Sequence, residues 1–228
     1  MRWWQAALCA TLLALAPMRL AAAPAIAIAP FDPTTLEARF VDDELVLGRL
    51  DAPVTVVEYL SGACPFCAAF DRDVFPYVAR TYIATGKIRY VIREIPTAPV
   101  SLSASGFLLA RCAGEAKYMS VLEFMFRNRD RLLAATNARQ AILDIGGAGG
   151  LDDVASAKCL DDEAALDKLN DRIQAALEAG VEGTPTFVFN GKMLKPGLRL
   201  GRTVYSGGGL TASQFDAAFR LTSSISKK

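Results

Sequence analysis

The spacing of apolar residues predicts a strand, a helix and a second strand between residues 54 and 95. The run Val54–Leu60 is apolar and rich in valine, as is typical of a buried strand. Phe66 and Phe70 then recur at helical spacing, and Pro76 is expected to kink or end that helix. Residues 88–95 form a second, mostly apolar run. Because a helix joins the two strands, we expect them to be parallel.

The apolar positions keep a helical period from about residue 100 to residue 180. Tyr118 and Val121 lie on one face of such a helix, and Gly180 stands where a helix C-cap is expected. We therefore predict a helical insertion at about 100–180, within a domain that spans 54–222.

After this insertion the chain shows a short strand, a turn and a last helix. The run Thr186–Phe189 is strand-like, and Asn190-Gly191 is a strong signal for a tight hairpin turn. Residues 195–209 are basic and glycine-rich and show no period. A capping box at residues 211–214 opens the last helix, and we expect the chain beyond Leu221 to fray.

The N-terminal residues 1–27 are typical of an export signal. Arg2 is followed by an apolar stretch and then by small residues with Ala-x-Ala spacing. Cleavage is expected after Ala25 or Ala27, which places the mature protein in the periplasm. An uncleaved membrane anchor is the alternative, but the apolar stretch is shorter than the roughly 20 residues that a membrane span needs.

Residues 28–53 form a leader of mixed polarity between the signal and the domain. Its apolar run Leu45-Val46-Leu47 predicts an edge strand. The leader is too short to form a domain of its own.

Composition narrows the chemistry that the chain can perform. Lys and Arg total 25 against 24 for Asp and Glu, and no basic run carries interleaved aromatic residues, so no nucleic-acid partner is expected. The sequence contains no histidine, which removes Ser-His and Cys-His catalytic pairs and the commonest zinc ligand. Catalysis must therefore use cysteine, carboxylate and backbone groups, and no cofactor or metal is expected.

The motif Cys64-Pro65-Phe66-Cys67 stands where the first predicted strand ends and the first helix begins. This position makes Cys64 the helix N-cap and Pro65 the first helical residue, where the missing N–H of proline costs nothing. The free backbone N–H groups and the helix dipole at this end stabilise a thiolate over a thiol. We therefore expect a lowered pKa and a reactive sulfur at Cys64.

A C-x-x-C pair has three main uses in an exported protein. A purely structural disulfide in so short a loop is unusual, because its geometry is tight. A zinc site needs four ligands, and this chain has no second C-x-x-C motif. Redox exchange is the interpretation that we favour, with the structural and metal-binding uses as alternatives.

Removal of the signal would leave four cysteines, an even number that is typical of an oxidising compartment. The pairing that respects the motif joins Cys64 to Cys67 and Cys112 to Cys159. In the chain-entropy model, a disulfide across the second, longer loop contributes about 4 kcal/mol, which favours a structural role for that pair. A second redox pair is the alternative.

The order of these elements resembles that of the DsbA-like branch of the thioredoxin superfamily. The likeness covers about residues 45–219. It includes C-x-x-C at the first strand-to-helix turn, the helical insertion, and Gly183-Thr184-Pro185-Thr186 before the hairpin. The resemblance implies an α/β, thioredoxin-like fold, in which a mixed sheet is flanked by helices and carries a helical insertion.

The resemblance also implies roles for individual residues. The first cysteine of the family motif, here Cys64, attacks, and the second, here Cys67, resolves the mixed disulfide. The proline in the position of Pro185 is cis and packs beside the active-site disulfide. The residue before it, here Thr184, offers backbone hydrogen bonds to an extended substrate.

Glu58 lies in the first predicted strand among apolar residues, six positions before Cys64. In this family a buried acid lies behind the second cysteine. Burial would raise the pKa of Glu58, so that it could transfer a proton to or from Cys67. The alternative is a glutamate that faces solvent or pairs with Arg89 or Arg93.

Pro65 and Phe66 lie between the two cysteines, and we expect them to contact substrate together with the Thr-Pro pair. DsbA has histidine where this chain has Phe66. Because phenylalanine can neither donate a hydrogen bond to the Cys64 thiolate nor place positive charge near it, we expect a disulfide less oxidising than that of DsbA.

The resemblance implies an exported, monomeric enzyme that donates disulfides to, or exchanges them with, reduced or unfolded secreted proteins. A quinone-linked membrane partner of the DsbB type would reoxidise it. A disulfide isomerase or reductase, served by a reductase of the DsbD type, is an alternative. A non-catalytic, chaperone-like binding module is a further alternative, from a different functional class.

Overall fold

The computed structural model of the protein describes residues 36–225. The predicted signal at 1–27 and the first part of the leader lie outside these residues. Among the helices that are described, none has both the length and the apolar character needed to cross a membrane.

Six strands form a mixed sheet at the centre of this region. Their bounds are β1 Ala38–Val41, β2 Glu44–Leu47, β3 Val54–Leu60, β4 Ile88–Glu94, β5 Thr186–Phe189 and β6 Lys192–Met193. They lie in the order β1-β2-β4-β3-β5-β6, in which β3 and β4 are parallel and all other neighbours are antiparallel. The parallel pair confirms the predicted strand-helix-strand unit.

The two faces of the sheet belong to different clusters of buried residues, because successive side chains of a strand point to opposite sides. Val56 and Leu60 of β3 belong to the larger cluster, which also contains Cys67 and Phe70. Tyr59 belongs to a smaller cluster on the other face. Glu58 lies two residues from both Val56 and Leu60 and therefore points toward the same face, which carries the motif cysteines.

The leader contributes a hairpin of two strands to the sheet. Leu45, Val46 and Leu47 are completely buried in β2, which lies between β1 and β4. The prediction of an edge strand at these three residues is therefore wrong in its position, because β1 covers them. The turn between the two strands, Asp42-Asp43, has φ values of 50° and 63°, and its aspartates are among the residues that tolerate the left-handed conformation.

The helix that follows β3 is interrupted as predicted. Helix α1 covers Pro65–Asp73, and helix α2 covers Phe75–Val78 with Pro76 in its first turn. A π-helical turn, Ala79–Ile83, then leads to β4. Since proline cannot donate a backbone hydrogen bond, the helix ends and restarts around it.

Six helices form the insertion between β4 and β5. They are α3 Val100–Cys112, α4 Glu115–Arg127, α5 Arg129–Leu133, α6 Ala138–Ala148, α7 Asp153–Leu160 and α8 Glu163–Glu178. Gly180 follows α8 with a φ of 79°, as its predicted C-cap place requires. A disulfide joins Cys112 at the end of α3 to Cys159 in α7.

A buried carboxylate attaches this insertion to the sheet. Glu94, the last residue of β4, is 1% exposed. It accepts hydrogen bonds from Arg111 Nε at 2.6 Å, Tyr118 Oη at 2.8 Å and Arg172 Nε at 2.8 Å. Because a buried charge is tolerated only when it is paired, these contacts fix α3, α4 and α8 against the end of β4.

The chain after β6 contains more structure than its sequence predicted. Strands β7 Arg199–Leu200 and β8 Thr203–Val204 form a small hairpin within the region 195–209, and each is too short to show a period. The capping box is present, since Gln214 N donates to Thr211 Oγ1 at 3.3 Å and Thr211 N donates to Gln214 Oε1 at 3.0 Å. It opens helix α9, Ala212–Ile225, which continues past the point where fraying was expected.

Candidate active site

The two motif cysteines lie where β3 passes into α1. Cys64 is the N-cap of α1 with an extended backbone conformation, and Pro65 is in the first turn. The backbone N–H of Cys67 donates to Cys64 Sγ at 3.4 Å. The predicted start of the helix at the motif is therefore confirmed, with the Cys64 sulfur as the capping atom.

Hydrogen-bond donors at this helix end lower the pKa of Cys64 from 9.0 to about 5. The largest contribution is a hydrogen bond from the side chain of Cys67, and further ones come from Thr184 and from backbone groups of Cys67 and Phe66. Burial acts in the opposite direction but is outweighed. At neutral pH the sulfur of Cys64 is therefore a thiolate.

The two sulfurs have opposite acid-base properties. Cys67 is 1% exposed, and burial raises its pKa well above 9.0. Its hydrogen bond to Cys64 and the nearby charge of Glu58 raise it further. At neutral pH one cysteine is thus an ionised nucleophile and its neighbour is a neutral thiol that can donate a hydrogen bond to it.

The loop before β5 meets the nucleophile directly. The peptide bond between Thr184 and Pro185 is cis, and the thiol of Cys64 donates to the backbone oxygen of Thr184 at 3.2 Å. The hydroxyl of Thr184 is buried and makes no hydrogen bond within residues 36–225. The structure therefore brings Cys64, Thr184 and Pro185 together.

Glu58 is buried beneath the cysteines. It is 4% exposed and accepts a hydrogen bond from Tyr90 Oη at 2.6 Å. Burial raises the pKa of Glu58 from 4.5 to about 8, because desolvation penalises the charged form. The alternative of a solvent-facing or arginine-paired side chain is wrong, since Arg93 instead binds Glu44.

A second acid, which was not predicted from the sequence, lies near the motif. Asp71 lies in α1 four residues after Cys67, on the same helical face. Burial, followed by the charge of Glu123, raises the pKa of Asp71 from 3.8 to about 7, and its charge in turn raises the pKa of Glu58. The i, i+4 spacing from Cys67 was the signal that could have identified it.

The loop between β3 and α1 is held by the insertion. Ser61 is completely buried and shares hydrogen bonds of 2.8 Å with Ser103 Oγ and with Thr97 Oγ1. Arg129, the first residue of α5, donates from Nε to the backbone oxygen of Ala63 at 2.7 Å. These contacts span 36 to 66 residues of chain, so no local sequence pattern could indicate them.

A groove of about 550 Å³ opens beside the nucleophile. One wall is the Thr184-Pro185 loop, and the other is the segment after β8. Phe66 is 61% exposed and lines the groove, and its ring lies beside Gly208. The groove adjoins the Cys64 site through Thr184, which contacts the sulfur, and through Phe66 of the motif, and its size admits a few side chains of an extended chain.

The remaining cysteines lie elsewhere in the fold. Cys112 and Cys159 are bonded to each other across α3 and α7, whereas Cys64 and Cys67 are free thiols. Within residues 36–225, no group of three or more metal-binding side chains comes together.

Comparison with known proteins agrees with this architecture. The profile of a family described as Thioredoxin matches residues 41–199. A putative protein-disulfide oxidoreductase of Rickettsia bellii is 34% identical over 152 residues, which are 66% of this chain and 58% of that protein. The chain thus matches less than two thirds of the length of this curated relative.

Two solved structures share the fold. Wolbachia pipientis alpha-DsbA1 superposes with a TM-score of 0.67 at 22% identity, over 83% of this chain and 95% of that one. Oxidised BdbD from Bacillus subtilis gives a TM-score of 0.65 at 18% identity, over 85% and 98%. With the family profile covering most of the chain, these findings show that the protein belongs to the thioredoxin family and has the fold of its DsbA-like branch.

Proposed function

We propose that this protein is a thiol:disulfide oxidoreductase that donates disulfides to, or exchanges them with, exported proteins through Cys64 and Cys67. The observation that carries the proposal is the sulfur of Cys64, which caps a helix and lies 3.2 Å from the backbone oxygen of Thr184. An ionised sulfur beside an open groove can exchange with a disulfide or thiol of another chain.

In the donor direction, the reaction begins with the Cys64–Cys67 disulfide. A substrate thiolate attacks the sulfur of Cys64, a mixed disulfide forms, and the Cys67 sulfur leaves with the electron pair of the broken bond. The high pKa of Cys67 makes it a poor leaving group unless it is protonated. Glu58, which is neutral at pH 7 because its pKa is about 8, is the acid that supplies this proton.

A second substrate thiolate then attacks the substrate sulfur of the mixed disulfide. The substrate leaves with a new disulfide, and the two electrons remain on the protein as the thiolate of Cys64 and the thiol of Cys67. The low pKa of Cys64 makes it a good leaving group in this step. This property favours the reduced protein and so supports the donor direction.

Another turnover requires an oxidant that accepts the two electrons. We infer a quinone-linked membrane partner of the DsbB type for this step, and a periplasmic location in which such a partner operates. The resemblance to the DsbA-like branch supports both inferences.

The Thr184-Pro185 loop and Phe66 would position the substrate. The backbone of Thr184 faces Cys64, and Phe66 and Pro185 line the groove. An extended segment of substrate placed there brings its cysteine to the sulfur of Cys64. Pro65 contributes by setting the backbone of the first helical turn.

Trapping of the mixed disulfide tests this proposal. In Cys67→Ala, the thiolate of Cys64 should attack an unfolded substrate that carries a disulfide and release one substrate thiolate, and the resulting mixed disulfide should accumulate because the resolving thiol is missing. Cys64→Ala should form no such adduct and should not catalyse oxidative refolding. Catalysed refolding by Cys64→Ala would contradict the proposal and would favour a chaperone-like binding module.

A further inference from the structure

The chain that forms the far side of the groove has an unusual charge. No acidic residue occurs from position 183 to position 215, whereas the same stretch contains four cations. The whole chain, in contrast, has a net charge of only +1. We call residues 192–204 the basic arm, and its cations are Lys192, Lys195, Arg199 and Arg202.

The cations of the basic arm are exposed and form no ion pairs within the described part of the chain. All four side chains belong to exposed residues. Nine arginines elsewhere in residues 36–225 pair with carboxylates: Arg39, Arg49, Arg72, Arg93, Arg111, Arg127, Arg129, Arg131 and Arg172. The positive charge of the arm is thus left available to a partner.

The basic arm is fixed in place beside the groove. Tyr205 N donates to the Leu198 oxygen, and Gly197 N donates to the Tyr205 oxygen, both at 2.8 Å. Gln214 of α9 donates to Thr203 Oγ1 at 3.2 Å, and Leu200 is 1% exposed. These contacts fix the β7–β8 hairpin, so the backbone that carries Arg199 and Arg202 keeps its position relative to the groove.

The arm continues directly from that wall. Lys195 and Tyr205 line the groove together with Thr184 and Phe66, and the groove's own carboxylate is Glu182. A peptide in this groove therefore lies beside Lys195, and the other three cations are exposed on the same arm. Opposite charges along such a groove attract and orient the incoming chain.

We propose that the basic arm selects substrates in which acidic residues lie close to the reacting cysteine. This inference rests on the proposed function, because it names the class of polypeptide that enters the same site. The occupant is an extended acidic peptide segment, since Lys195 lines the same groove as Thr184, which contacts the nucleophile, and the other cations are exposed on the same arm.

Matched peptides test the proposal. Two peptides each carry the same pair of cysteines, flanked by Asp and Glu in one and by Lys in the other, and the oxidised protein converts each to its disulfide. We expect kcat/KM to be about fivefold higher for the acidic peptide at low salt, as a few exposed charge pairs would give. The preference should shrink in high salt, because ions screen exposed charges.

Charge-reversal variants test whether the basic arm causes the preference for the acidic peptide. The triple variant Lys195→Glu/Arg199→Glu/Arg202→Glu should reverse the preference between the peptides. Lys117→Glu/Lys158→Glu/Lys168→Glu makes the same change in net charge at exposed positions of the insertion and should retain the original preference. Because each preference is a ratio measured on one variant, a loss of folded protein does not affect it.

The outcomes separate the two levels of the proposal. Equal rates for both peptides, or an equal effect of the two triple variants, would overturn the role of the basic arm while the oxidation of peptides still stood. Binding of the protein to anionic vesicles without any peptide preference would also overturn it, and would make the arm a membrane contact. Failure to oxidise either peptide would instead contradict the proposed function.

Discussion

The two cysteine pairs of this protein differ in chemical state and in surroundings. Cys64 and Cys67 are free thiols at a helix N-terminus, beside a backbone carbonyl, a buried acid and a groove. Cys112 and Cys159 are bonded to each other across two helices of the insertion. The comparison teaches that the surroundings of a cysteine pair, rather than the presence of two sulfurs, make it reactive or inert.

Helix geometry explains much of this difference. The sulfur of Cys64 is the N-cap of α1 and receives the N–H of Cys67, which stabilises negative charge. Cys112 is the last residue of α3, at the end of the helix where the dipole disfavours a thiolate. The site for exchange and the covalent link within the insertion are thus placed at opposite kinds of helix end.

Substitution of cysteines in each pair should give the largest effects on activity and stability, and the two results should differ. Cys64→Ala should abolish disulfide exchange and should also lower the unfolding free energy of the reduced protein at neutral pH, because the lowered pKa of the Cys64 thiolate stabilises the folded state. Cys112→Ala/Cys159→Ala should retain exchange but lose up to about 4 kcal/mol of stability, because it opens a loop of 47 residues. Chemical denaturation and an oxidative refolding assay check both results, and loss of exchange in the second variant would break the comparison.

Substitution of the buried acid should slow one chemical step. Glu58→Gln should reduce the rate at which Cys67 resolves a mixed disulfide by about 100-fold, since a positioned general acid-base group typically contributes that much. Attack by Cys64 should hardly change, because its thiolate is already formed. Stopped-flow thiol exchange separates the two rates, and an unchanged resolution rate in Glu58→Gln would exclude Glu58 as the group that exchanges a proton with Cys67.

The same acid should make the stability of the reduced protein depend on pH, and comparison with Glu58→Gln separates its contribution from those of the motif cysteines. The pKa of Glu58 is raised from 4.5 to about 8, so between these values the folded state holds a proton that the unfolded state has lost. The stabilisation is therefore present below pH 4.5 and is lost as pH rises toward 8. Glu58→Gln should flatten this decline, by at most about 1.4 kcal/mol for each pH unit.

The smallest expected effect concerns the contact between the helical insertion and the loop that leads to Cys64. Arg129 holds the backbone of Ala63 from α5, and its side chain is 23% exposed. Arg129→Gln should cost about 1–2 kcal/mol of stability, as expected for a lost charged hydrogen bond. The matched control Arg127→Gln, at a side chain that is 71% exposed, should cost less than about 0.5 kcal/mol. Equal costs in denaturant unfolding would mean that the insertion does not hold this loop.

Local sequence signals were sufficient for much of the fold. The strand before the motif, the helix that begins at Cys64, the capping box and the Asn190-Gly191 hairpin each depend on residues close together in the chain, and each is present. Strand β1 was missed because Arg39 interrupts its apolar residues, and the β7–β8 hairpin was missed because each of its strands has only two residues.

The candidate site was predicted less completely than the fold. The position of Cys64 follows from a helix start that the sequence itself marks. The partner of Glu58 is Tyr90, on a neighbouring strand, and the support for Ala63 comes from a helix 66 residues away. Such contacts depend on how elements pack in three dimensions, which spacing along the chain does not encode.

Titration of Cys64 in the reduced protein tests the central claim most directly. The ultraviolet absorbance of the thiolate, together with the pH dependence of alkylation, reports the ionisation of this sulfur while Cys67 remains neutral. The account predicts a midpoint near pH 5. A midpoint near pH 9, the value of an ordinary thiol, would contradict it.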